Sequence, residues 1–270
     1  NKNILKIFDY NDADGLEQIF EDNPDEISCV VIEPTHFEKP QNNFLKKVRK
    51  LSTENHSLLI LDEIVTGFRF DIKGGQKFFD IKGDLVCFGK GMGNGLPISA
   101  ITGTSEYMNE FDKLWVSSTN NSETLSIVGT MATINEMQTK DTISYCWNLG
   151  KKLFDGWNQI TDKYNIRAQM IGYPIRMTMK CYDSQDRESI SLKSLILQEL
   201  VKKGIFISPG PSFISYSHSE PDIENTLLKL DDVCSFISKN VPNDEYSKFL
   251  EGNNPKTVWT MEMNSIKKKI

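Results

Sequence analysis

Histidine is scarce in this chain. His36, His56 and His218 are the three in 270 residues, and none has a partner at metal-ligand spacing, so a zinc site is not expected. The five cysteines, Cys29, Cys87, Cys146, Cys181 and Cys234, are scattered and suggest no disulfide framework. Cys29, Cys87 and Cys181 fall in strand-like runs, the pattern of buried thiols in a reducing, cytoplasmic compartment. Long apolar runs are missing too: the longest are about four residues, far below the ~20 of a membrane span. The first residues carry no signal-peptide pattern. Positive charge is not in excess, since 31 Lys and Arg face 37 Asp and Glu for a net charge of -6. Without a basic stripe interleaved with aromatics, nucleic acid is not an expected partner. Lys267, Lys268 and Lys269 read as a solvated end.

What remains is an ordinary globular composition, 39% hydrophobic and 25% charged. The length suits one large domain, or a large and a small one. The sequence begins at Asn1 without an initiator methionine and runs at once into a helix–strand unit, so it reads as the back part of a longer protein.

Apolar periodicity predicts alternating helices and strands. Asn11 or Asp12 caps a helix through Leu16, Ile19 and Phe20. A strand over 28–32 ends at Glu33-Pro34, and a helix over about 42–54 carries Phe44, Leu45, Val48 and Leu51 on one face. Strands follow at 58–61, 84–88 and 98–102. Near-continuous apolar strands point to an α/β fold whose mostly parallel sheet is covered on both faces. After Thr119, helices over about 122–138 and 142–162 lead into a small α+β domain. There the segment 175–181 alternates as a half-solvated strand does. A helix at 192–203, a strand at 205–208 and a helix capped at Ser219 with an early Pro221 follow. The expected division is a large domain over 1–140, a linking helix and small domain over 141–240, and a polar tail over 241–270.

In parallel sheets, ligands gather at the carboxyl ends of the strands. Glu33, Asp62 and Lys90 all lie at or just past such ends. Lys90 stands within Gly89-Lys90-Gly91-Met92-Gly93-Asn94-Gly95-Leu96-Pro97. A dinucleotide fingerprint would open a helix, whereas this run meets Leu96-Pro97 and another strand, and it lacks the Gly-Lys-Ser/Thr ending of a P-loop. Taken singly, Lys90 reads as a surface lysine in a loop and Asp62 as a turn or cap residue. Together, a strand-end acid and a strand-end lysine suit a cofactor that needs both a carboxylate and an amine, as pyridoxal phosphate does.

Two stretches resemble one family closely. Asp62-Glu63-Ile64-Val65-Thr66-Gly67-Phe68-Arg69 resembles the cofactor-acid motif of class III pyridoxal-phosphate aminotransferases. Residues Gly83 to Pro97 are similar to that family's Schiff-base lysine motif. Tyr10-Asn11-Asp12 and Val31-Ile32-Glu33-Pro34 match further landmarks in the right order, so the resemblance runs from about Phe8 to Lys239. The most similar branch is that of the glutamate-1-semialdehyde aminomutases, including relatives associated with surface sugars.

The resemblance implies a fold-type I transferase with a small C-terminal α+β domain, lacking the N-terminal portion that carries the phosphate cup. It implies pyridoxal 5'-phosphate as cofactor, with Asp62 on its ring nitrogen and Lys90 on its aldehyde. Thr119 would reach the phosphate of the neighbouring subunit's cofactor, implying a homodimer with shared sites. Glu33 would face the cofactor, or equally form a salt bridge beside Pro34. Val65 stands where many members place a glutamine against the ring oxygen. Ser215 stands where amino-acid-specific members place an arginine, and serine cannot clamp a carboxylate bidentately. The implied activity is transamination of a small polar substrate, such as an amino-sugar precursor, between an amino donor and an acceptor. A 2,1-aminomutase and a non-catalytic interaction module stay open as alternatives.

Overall fold

The computed structural model describes residues 4–116, 120–242 and 244–253. The chain divides into two compact units, Lys6–Tyr145 and a second that takes up the chain from Cys146. No helix among the described residues is long and apolar enough to cross a membrane.

The first unit runs α1 (Ala13–Asp22), β1 (Cys29–Ile32), α2 (Phe44–Glu54), β2 (Leu58–Asp62), α3 (Gly75–Phe78), β3 (Leu85–Phe88), β4 (Ala100–Gly103), α4 (Ser105–Met108) and α5 (Thr124–Thr139). Its sheet has the order β1-β2-β3-β4, with the first three strands parallel and β4 antiparallel to β3. Asp12 caps α1, its carboxylate accepting from Gly15 N–H at 2.9 Å and so satisfying one orphan donor of the first turn. Phe44, Leu45 and Val48 of α2 join Leu16 and Phe20 of α1 against Leu59, Leu61 and Val86. Each such buried side chain contributes about 1.5–3 kcal/mol.

Leu59 and Leu61 are fully buried, while Leu58, Ile60 and Asp62 between them are half-buried. The cover expected on both faces of the sheet is therefore complete at β2 on one face only, among the described residues. Asp84 sets the register where β3 begins. Its Oδ2 accepts from Leu59 N–H at 2.7 Å and pairs with Arg49 of α2 at 2.7 Å. Its own N–H donates to Leu59 O at 2.8 Å.

Helix α6 (Thr142–Lys163) leads into the second unit. There β5 (Ala168–Tyr173) and β6 (Arg176–Cys181) form an antiparallel hairpin, followed by α7 (Ile190–Lys202) and α8 (Glu220–Asn240). β6 is not the half-solvated strand that its alternation predicts: every residue but Lys180 is buried, because α7 packs on it and Ser212 bridges Met177. The strand predicted over 205–208 does not form, and the chain there is irregular. α8 opens on the predicted capping box of Ser219 and Asp222. The polar stretch beyond Asn240 is anchored where it is described. Val241 and Tyr246 are buried, Ser184 N–H donates to Asp244 at 3.0 Å, and the Gln198 amide bonds Phe249 O and Glu251 N–H.

Candidate active site

Strands β2 and β3 end side by side, with Asp62 in register with Cys87 and Lys90 three residues further on. Lys90 adopts φ 44°, in the left-handed region that long side chains rarely occupy. It opens a single 3₁₀ turn, Lys90–Met92, and its carbonyl accepts from Gly93 and Asn94 N–H at 3.2 and 3.1 Å. The side chain is exposed, and its ammonium has no ion pair among the described residues.

Asp62 is half-buried. Its Oδ1 accepts from Ile64 N–H at 3.0 Å, while Oδ2 accepts no hydrogen bond among the described residues. Burial pushes the neighbouring Cys87 thiol above its ordinary value, and the Asp62 charge adds to that rise. The strand ends thus present a carboxylate oxygen and a primary amine, both available to a ligand.

The two turns brace each other. Phe68, at φ 59°, meets Phe88 edge-on with ring centroids 5.4 Å apart. A methyl group on Gly67 would sit 2.6 Å from the Phe88 ring and 2.7 Å from Glu63 O, so only glycine lets this turn close. Arg69 donates to Val65 O at 2.8 Å and flanks Gly91. Asp62 and Lys90 therefore stand on mutually packed turns rather than on free loops.

The remaining expected residues are placed less completely. Glu33 is half-buried at the end of β1, next to β2, and Tyr10 Oη donates to the adjacent Pro34 O at 2.8 Å. Val65 lies within the Asp62 turn, half-buried. Thr119 lies outside the described residues. The Asn120, Asn121 and Ser122 that follow it line a cavity of about 560 Å³ with Pro97, Ile98 and Ser99 from the end of the glycine run. Ser215 belongs to the second unit, where its N–H and its hydroxyl both lie 3.0 Å from His218 Nδ1.

One residue that the sequence reading left unassigned is Glu63. It is 0% exposed. Its carboxylate accepts from Gly75 N–H, from Gln76 N–H at 2.7 Å and from Thr66 Oγ1 at 3.1 Å. Burial pushes this carboxyl above its ordinary value, and the three donors only partly offset the rise. The available signal was the pair Gly74-Gly75 downstream, which has no evident purpose in sequence.

Comparison with known proteins gives this arrangement a context. The family described as "Aminotransferase class-III" matches residues 7–245. A glutamate-1-semialdehyde 2,1-aminomutase of Acetivibrio thermocellus is 33% identical over 247 residues, covering 86% of this chain and 57% of that protein. The enzyme of the same name from Alkaliphilus oremlandii is 32% identical, covering 86% and 58%. Among solved structures, the FumI protein of Sphingopyxis sp. MTA144, determined in its PLP internal aldimine form, superimposes with a TM-score of 0.80 at 21% identity, covering 91% of this chain and 60% of that one. The chain spans less than two thirds of the length of each of these relatives.

Proposed function

The chain belongs to the class-III aminotransferase family, and from that premise we propose that it supplies the lysine and the acid of a pyridoxal-phosphate enzyme that moves an amino group on a small polar molecule. The observation that carries this reading is the bracing of the Asp62 turn against the Lys90 turn at the ends of adjacent parallel strands. The donor set fits the cofactor: the ends of two adjacent strands carry a carboxylate oxygen and an amine, each without a partner among the described residues.

When bound, pyridoxal phosphate supplies an electron-accepting ring that takes up negative charge from the substrate carbon. Asp62 would keep the ring nitrogen protonated through its free Oδ2. Lys90 would hold the cofactor through its amine and would serve as the group that moves a proton at the substrate Cα. Its left-handed backbone and the short turn behind it would restrict where the amine can reach. Glu33 and Val65 would stand beside the cofactor with Asp62, and Thr119 would serve the cofactor phosphate of a second copy in a homodimer. The exposed Leu125, Val128 and Met131 of α5, a few residues later, provide apolar surface for that copy to cover.

Within this reading, Ser215 weakens an ornithine- or GABA-type assignment, and an amino-sugar precursor is one small polar substrate left open. A 2,1-aminomutase is the second reading, favoured by the names of the sequence relatives and by Val65 together with Ser215. Release of a free oxo product from the donor separates transfer between molecules from transfer within one.

The test is to load the protein with pyridoxal phosphate and follow its visible absorption as amino donors are added. The wild-type band should form and then bleach with a competent donor. Lys90→Ala should form no such band, and Asp62→Asn should form it but bleach at least ~100-fold more slowly. Full absorbance and turnover in Lys90→Ala would overturn the role of Lys90, and a wild type that forms no band would leave a non-catalytic member of the family.

A further inference from the structure

Glu63 and Asp62 are consecutive residues at the end of β2, so their side chains leave on opposite faces of the sheet. Asp62 faces the half-buried side and Glu63 is enclosed on the other. An enclosed carboxylate is a costly group to keep in a core, and its surroundings are shaped to receive it. Gly75 and Gln76 aim their N–H groups at it, and Thr66 its hydroxyl. Gly74 has φ +89°, and a methyl there would lie 2.7 Å from both Glu63 oxygens. The backbone of Glu63 is committed as well: its N–H donates to Cys87 O at 2.9 Å, and its carbonyl accepts from Gly67 N–H at 2.9 Å.

Glu63 is thus tied at four places: to β3 through its N–H, to the Gly67 turn through its carbonyl, to Thr66 within that turn, and to the start of α3 through the Gly75 and Gln76 amides. Three of these ties end within five residues of Asp62 or on the strand that leads to Lys90, and the fourth brings in the start of α3, 12 and 13 residues on from Glu63. An apolar side chain would fill the same space at lower cost, but it would hold none of these donors.

We propose that Glu63 is a positioning residue for the reaction: its enclosed carboxylate clamps the start of α3 and the Thr66 turn so that the free oxygen of Asp62 is held at a fixed place and direction. This rests on the assignment of Asp62 to the ring nitrogen, so the test has one arm that needs no cofactor.

In cofactor-free protein, amide hydrogen exchange is measured for the wild type, Glu63→Gln and Gly74→Ala. Ile64 N–H reports on Asp62 directly, because it donates to Asp62 Oδ1. Gly75 and Gln76 report on the clamp alone. Glu63→Gln keeps the shape but can offer only one acceptor oxygen where two N–H groups need one. Gly74→Ala presses on the carboxylate from the other side. Exchange at Ile64 should rise roughly tenfold in both variants, together with Gly75 and Gln76 and without a comparable rise in the α2 core. In loaded protein, exchange of the substrate Cα proton should fall ~10- to 100-fold with substrate KM unchanged and Lys90 still trapped by reduction.

Faster exchange confined to Gly75 and Gln76, with Ile64 and Cα proton removal at wild-type rates, would overturn the proposal and leave Glu63 as a loop anchor. If Glu63→Gln does not fold, Gly74→Ala alone decides between these results. Failure of wild-type protein to be labelled at Lys90 would count against the proposed function, while the Ile64 result would still decide whether Glu63 orders Asp62.

Discussion

Glu63 carries a proton to higher pH in the folded chain than in the unfolded one, because enclosure penalises its charged form more than its three donors favour it. The sign of the stability effect follows. Between the ordinary carboxylate value and the raised one, the folded state binds more protons than the unfolded state, so this residue's contribution to stability falls as pH rises. Other carboxylates act in the opposite sense: Asp183 and Asp231 are lowered, by the Arg187 backbone and the Lys163 ammonium respectively. The difference between wild type and Glu63→Gln isolates the term. Urea midpoints measured through the acid range should show the wild-type advantage shrinking as pH rises through that window and levelling above it. An advantage that grows with pH would mean that the donors outweigh enclosure. None of this was readable in sequence, where Glu63 was one letter of a motif and two of its three partners stood 12 and 13 residues away.

At the scale of elements, what holds the site is the parallel pair β2–β3, and Asp84 is its fastener. One carboxylate oxygen takes both the Leu59 amide and the Arg49 guanidinium, and both charged side chains are less than a third exposed. Asp84→Ala should therefore cost about 2–3 kcal/mol, since it strands a backbone donor and a partly buried cation together. Arg49→Met should cost less, because Leu59 keeps its acceptor. Chemical denaturation measures both, and a loss below about 0.5 kcal/mol in Asp84→Ala would contradict this account of the register.

The strands themselves were legible because Leu58 to Leu61 and Leu85 to Phe88 are short apolar runs that end in polar chemistry. β5 was missed, since Gln169 and Gly172 interrupt its apolar pattern. β6 was found but misjudged. Its alternation suggested one wet face, whereas Thr178 and Arg176 are covered by tertiary packing that no local pattern encodes.

Over the whole molecule, the sequence motifs located Asp62 and Lys90 but not how their turns support each other. Phe68 against Phe88, Gly67 under that ring and Arg69 beside Gly91 are contacts between segments some twenty residues apart. Thr119 lies outside the described residues, so its proposed role rests on the family. The relatives extend well beyond this chain's matched length, which makes the assembled enzyme's substrate and second copy matters of proposal. The central claim is narrower: this chain carries the amine that anchors the cofactor. Incubation with pyridoxal phosphate, reduction with borohydride and peptide mass mapping test it most directly. The account predicts a pyridoxyl adduct on Lys90, absent from Lys90→Ala and from no other lysine's loss. Labelling spread over surface lysines, or none at all, would contradict it.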